Sequence, residues 1–171
     1  TKLGGQKLRR TRSGMQIIFQ DPASSLNPRF TVRDTLTEAI KAHRSRLKKR
    51  DLNVNMAALL QMVGLPVSAL DKYPREFSGG ERQRIAIARA LAVNPRFIVA
   101  DEPISALDLT SQSQIVNLLD DLRRELDVSF LLISHDLDVV RHLCTRVAVM
   151  YLGWLVEIAP GDLLFSHPRH P

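Results

Sequence analysis

The chain has 171 residues, 44% of them hydrophobic and 25% charged, which gives room for one sizeable core and excludes a disordered polymer. No apolar run approaches the roughly 18 residues of a membrane span, and the single Cys144, with no partner for an internal disulfide, suits a reducing cytoplasm. The net charge of +6 attracts anions, but the basic clusters Lys7 to Arg12 and Arg44 to Arg50 contain no interleaved aromatic residues, so base stacking on nucleic acid is unsupported.

Residues Thr1 to Ser13 are polar and basic, with a turn at Gly4-Gly5 and a short helix expected around Gln6 to Arg12. Met15 to Phe19 reads as a short apolar strand ending at Gln20-Asp21-Pro22. Gln20 at that strand end can offer its amide oxygen to a metal or its nitrogen to water or phosphate, or it is simply solvated. Val32, Leu36, Ala39, Ile40 and His43 recur at helical spacing, so a helix is expected over Thr31 to His43. A second is expected from about Val54 to Val63, closed by Gly64 and Pro66, with a basic linker between the two.

Tyr73 to Phe77 leads into Ser78-Gly79-Gly80-Glu81-Arg82-Gln83-Arg84. Ser78 is a good N-cap, and Glu81 can reach back to complete a capping box. Gly79 and Gly80 leave the first-turn amides open to an anion at the positive end of the helix dipole. The stretch is therefore either a plain helix cap or half of an anion site. The helix that follows carries Ile85, Ala86, Ile87, Ala88, Ala90 and Leu91 and is expected to be largely buried, with Arg82, Arg84 and Arg89 available to carbonyls or carboxylates.

Phe97 to Ala100, bounded by Asn94-Pro95 and Glu102-Pro103, fits a parallel strand buried on both faces. Asp101 and Glu102 leave its carboxyl end, where ligands of open α/β sheets bind, though the pair also suits an ordinary polar strand end. Asp101 there suits Mg2+, and Glu102 can orient or deprotonate a water. Ile115, Leu118, Leu119, Leu122 and Leu126 give Leu109 to Leu126 an amphipathic helix expected to pack on the sheet. A buried strand over Ser129 to Ile133 precedes His135, which Ser134 and Asp136 flank as potential caps. Arg146 to Tyr151 and Leu155 to Ile158 read as a hairpin around Gly153-Trp154, and Asp162 to Phe165 as one helical turn. In the tail, His167 and His170 lack a further nearby ligand for a metal site.

Taken together, these residues resemble the ATP-binding cassette family of ATPases. Ser78 to Gln83 is similar to its signature motif, and Val99-Ala100-Asp101-Glu102-Pro103 to its Walker B motif with catalytic glutamate. Ser105-Ala106-Leu107-Asp108 resembles the D-loop, Ser134-His135-Asp136 the H-loop, and Gln20 the Q-loop glutamine, all in the family's order. The resemblance runs from about Arg9 onward. Ala23 to Val32 and the closing His167 to Pro171 look like the oligopeptide and dipeptide importer branch. Ile104 stands where the family often has threonine and Glu81 where it often has glutamine, and neither change removes a catalytic group.

The resemblance implies an α/β fold, a P-loop NTPase-like mostly parallel sheet flanked by helices, with residues 1–171 forming a partial nucleotide-binding domain. A helical signature subdomain is expected over about 31–90, and parts of the ATPase core and the C-terminal tail over about 14–22 and 95–171. ATP and Mg2+ are the implied cofactors. Asp101 and Gln20 would hold the metal, Glu102 would polarise water and His135 would steady the terminal phosphate. Ser78, Gly79, Gly80 and Glu81 would act on ATP across a dimer interface, and Asp108 would couple the two sites. The implied partners are a second ATPase subunit, transmembrane permease subunits met through the Q-loop and helical subdomain, and indirectly a solute-binding protein, with the chain peripheral on the cytoplasmic membrane face. Nucleic acid is not expected.

A Walker A loop needs Gly-x-x-x-x-Gly-Lys, whose amides and lysine cradle phosphates. None of the 8 glycines is followed five positions later by another glycine. The expectation is therefore a fragment of a longer importer ATPase, with an incomplete core, unable to hydrolyse ATP alone. Two other readings stand beside it: a catalytically silent module supplying its signature in trans, and a cassette ATPase of DNA repair or translation.

Overall fold

Three strands, β1 (Met15–Ile18), β2 (Phe97–Asp101) and β3 (Ser129–Ile133), lie side by side in that order, each parallel to its neighbour. The computed structural model describes residues 4, 5, 8, 11, 12, 14–43 and 49–170, so the expected helix around Gln6 to Arg12 and the basic linker fall in large part outside the described residues. The chain divides into two compact units, residues 1–133 and 134–171.

In the first unit the register sets Ile18 beside Ala100 and Leu132, and Gln16 beside Ile98 and Phe130, on one face of the sheet. Ile18, Ile98 and Ala100 on that face are almost wholly buried. The opposite face carries Met15, Ile17 and Phe19 from the first edge and Leu131 and Ile133 from the other, all between 39% and 50% exposed. The expectation that β2 is buried on both faces is thus corrected. The period of two sends alternate side chains to opposite faces, and among the described residues the helices of this unit close only one of them.

Around the sheet run α1 (Pro22–Ser25), α2 (Val32–His43), α3 (Lys49–Met62), α4 (Gly79–Leu91) and α5 (Leu109–Glu125). α3 begins five residues before the expected Val54. Hydrophobic period marks only the buried stripe Leu52, Met56 and Leu60, whereas the helix itself starts earlier, in a stretch with no apolar residue for the period to register. Gly64, at φ +70°, turns the chain out of α3 in a conformation that glycine adopts without strain.

α4 is the hub of this unit. It packs against β1, α1, α2, α3 and α5, and its Ile85, Ala86, Ile87, Ala88 and Ala90 are almost fully buried. Each isoleucine contributes about 1.5–3 kcal/mol by leaving water. Short side chains at three of these five positions let neighbouring elements approach the helix closely. α5 presents Ile115, Leu118, Leu119 and Leu122 as its buried stripe, as the spacing predicts, and meets α4.

In the second unit, Asp136 caps α6 (Leu137–Leu143) by accepting from the Asp138 and Val139 amides. β4 (Arg146–Tyr151) and β5 (Trp154–Pro160) form the expected antiparallel hairpin, with an irregularity between Val149 and Met150. Leu152 and Gly153 make its two-residue turn, both with positive φ, 46° and 84°. α7 (Gly161–Ser166) follows. The tail is tied back to the hairpin, because Glu157 accepts from the Arg169 and His170 amides at 3.0 and 3.1 Å.

Candidate functional site

Parallel strands end on the same side, so the residues that leave β1 and β2 meet at one edge of the sheet. There Gln20 Nε2 donates to Glu102 Oε2 at 3.0 Å, linking positions 82 residues apart in sequence. Asp101 closes β2 immediately before Glu102, in register with Ile133 of β3. The Glu102 amide in turn donates to the Ile133 carbonyl at 2.9 Å, which anchors the first residue after β2 to the end of β3. Glu102 itself is held at φ +44°, in the left-handed region that costs a residue with a Cβ about 1–2 kcal/mol. Such strain collects where a surrounding framework dictates side-chain direction.

Gln20 and Asp101 therefore bring oxygen donors to the edge that carries Glu102, a donor set of the hard kind that Mg2+ accepts. His135 belongs to the second unit, two residues beyond β3 and one before the Asp136 cap.

The signature turn forms the capping box that its sequence spells. Ser78 Oγ accepts from the Glu81 amide at 3.3 Å, and Glu81 Oε2 accepts from the Ser78 amide at 2.8 Å. Gly79 is half-buried and Gly80 buried. A Cβ at Gly80 would stand 2.8 Å from Ser111 Oγ and 3.0 Å from Ser111 Cβ, so glycine there lets the start of α4 approach the start of α5. Asp108 caps α5, accepting from the Ser111 amide at 2.9 Å and the Ser111 hydroxyl at 2.7 Å. Those two bonds, the backbone one first, hold the Asp108 carboxyl below its ordinary value. The structure thus brings the signature turn together with Asp108 through Ser111, while Gln20 pairs with Glu102 at the sheet edge.

Between Glu102 and Asp108 the chain makes a tight loop. Ser105 Oγ donates to the Glu102 carbonyl, and Gln112 Nε2 donates to the carbonyls of Ile104 and Leu107. Gln112 is a residue that spacing arguments pass over, since a glutamine one turn into a helix reads as surface. Two arginines of α4 find carbonyls, as the sequence suggests. Arg84 Nη1 donates to Val63 at the end of α3 at 2.6 Å, where a cation complements the helix dipole. Arg89 Nη1 donates to the Ser25 carbonyl at the end of α1, and its burial lowers the guanidinium pKa. α1, which follows Gln20 by two residues, is thereby fastened to the signature helix.

The chain has clear relatives. The family model described as "ABC transporter" matches residues 1–105. The chain is 50% identical over 166 residues to the oligopeptide transport ATP-binding protein OppF of Bacillus subtilis (strain 168), a match covering 97% of this chain and 54% of that protein. It therefore spans about half the length of the curated relatives it matches. Among solved structures, cbiO1 from Clostridium perfringens, part of the ABC transporter complex cbiONQ, superposes with a TM-score of 0.84 at 26% identity, over 96% of this chain and 64% of that one. The ATP-binding cassette MJ0796, in a dimeric post-hydrolysis state bound to ADP and Pi, gives 0.75 at 29% identity, over 93% and 68%.

Proposed function

Because the chain belongs to the ABC transporter family, we propose that it is part of the ATP-binding and hydrolysing subunit of an importer for peptides or similar small solutes. The observation that carries this reading is the Gln20–Glu102 hydrogen bond at the carboxyl edge of a parallel sheet, with Asp101 beside it. The name of OppF, at 50% identity, supports a peptide cargo.

In this reading Glu102 is the general base that orients and deprotonates the attacking water. Gln20 holds the carboxylate in place through its amide nitrogen, and its amide oxygen together with Asp101 would hold Mg2+. Bound Mg2+ would supply charge neutralisation on the phosphate oxygens. Ser78, Gly79, Gly80 and Glu81 present the start of α4 to nucleotide held by a second subunit, in keeping with the dimeric MJ0796. Asp108, bound to Ser111 beneath that turn, transmits between the two sites. His135 contacts the terminal phosphate.

No helix among the described residues is long and apolar enough to cross a membrane. In the importer reading, which rests on the likeness to OppF, permease subunits are met through the segment after Gln20 and the helical residues of about 31–90, with the ATPase peripheral on the cytoplasmic face. A solute-binding protein delivers cargo to that permease. Phosphate release by the full-length gene product, measured with MgATP, tests the reading. Turnover that persists after Glu102→Gln contradicts the assigned base.

A further inference from the structure

Gln83 is fully buried in α4, and neither its Oε1 nor its Nε2 has a hydrogen-bond partner among the described residues. Buried side-chain amides are normally paired, so an unmet one at a functional helix calls for an explanation. The helical period places Gln83 one turn after Gly79 and Gly80, at an angle between them. Helical side chains lean toward the preceding turn, so the amide is directed back over those two glycines.

The two glycines show what lies opposite. A Cβ on Gly79 would sit 3.4 Å from Leu107 Cδ2, and one on Gly80 would meet Ser111. The face of α4 that carries Gln83 therefore looks onto the closing end of the loop that begins at Glu102. That loop is already held once by a glutamine, since Gln112 donates to the Ile104 and Leu107 carbonyls from the α5 side. Gln83 is a second amide on the α4 side with its donor and acceptor unspent.

We propose that Gln83 is a positioning residue whose amide bonds backbone groups of the Glu102 to Asp108 loop when nucleotide is bound. It thereby links the signature helix to the residue that activates water. An amide buried without a partner costs stability that pairing with those backbone groups recovers. This inference rests on the assignment of Glu102 as the base.

The test is Gln83→Met in the full-length gene product, which keeps side-chain length and removes the amide. Replacing an unpaired buried polar group by an apolar one of similar shape is neutral or stabilising, so the melting temperature stays the same or rises. Meanwhile kcat falls about tenfold or more with little change in KM, the signature of lost positioning. Hydrogen exchange of the Ile104 to Leu107 amides with MgATP bound reads the same contact without turnover, and is slower in the wild type than in the variant. Unchanged kcat or equal exchange overturns the proposal, and so does a lowered melting temperature or a failure to fold, because the amide then has a partner at rest. A wild-type protein that fails to hydrolyse ATP counts instead against the functional reading, while the exchange comparison still decides the role of Gln83.

Discussion

Gln20 Nε2 reaches Glu102 Oε2 at 3.0 Å, although 82 residues separate them. An amide that donates to a carboxylate fixes the orientation of that carboxylate. Glu102→Gln keeps the shape and removes the proposed base. Phosphate release by the full-length protein is expected to fall by about 10²–10⁴-fold, with ATP affinity within a few fold of wild type by nucleotide titration. Equal turnover would remove Glu102 from that role.

The contact of Gly80 with Ser111 gives a second outcome. Ser111 cannot move freely, because its amide and hydroxyl are both bound to Asp108. Gly80→Ala is therefore expected to destabilise by about 1–3 kcal/mol, as overpacking does, read as a lower urea midpoint. In a double-mutant cycle with Ser111→Gly the two changes should couple by more than about 0.5 kcal/mol, as residues in contact do.

Asp108 and Asp34 give the pH dependence. Bonds from Ser111, backbone first, lower the Asp108 pKa, and bonds from Thr31, side chain first, lower that of Asp34, both below the ordinary 3.8. A carboxyl depressed in the fold adds stability that is fully present above the unfolded value and is lost as pH falls through the folded one. Urea midpoints should hold steady down to about pH 5 and drop below about pH 4. Asp108→Asn caps without titrating and should flatten part of that fall.

The hairpin turn offers an independent check on the second unit. Leu152, 82% exposed and at φ +46°, occupies a position that suits asparagine, with glycine already next. Leu152→Asn creates the Asn-Gly pair preferred in such turns. It should raise stability by about 0.5–1 kcal/mol, a part of the roughly 1–2 kcal/mol left-handed penalty, seen as a higher melting temperature with hydrolysis unchanged.

What the sequence made legible was local. Ser78 and Glu81 spell their own capping box, the run Phe97 to Ala100 spells its strand, and the spacing of Ile115, Leu118 and Leu122 spells its helix face. Gln20, Asp101 and Glu102 were each placed at strand ends by pattern, and the parallel topology then brought them to one edge. What pattern could not supply was long-range. That Arg89 would fasten α1 by the Ser25 carbonyl, that Gln112 would hold the Ile104 to Leu107 bend, and that Gln83 would be buried without a partner all depend on elements far apart in the chain. The strand run Phe97 to Ala100 likewise said nothing of which sheet face is closed, because an apolar run looks the same in both cases.

The open sheet face has a practical side. Met15, Ile17, Phe19, Leu131 and Ile133 form a water-facing apolar surface bounded by strand edges, the kind of surface that colloids share with sticky particles. Residues 1–171 handled by themselves should light up an environment-sensitive hydrophobic dye, drift toward larger species as concentration rises, and be recovered best at low concentration with mild detergent. Five side chains outside the candidate site thus add to the apolar surface that this polypeptide shows to water.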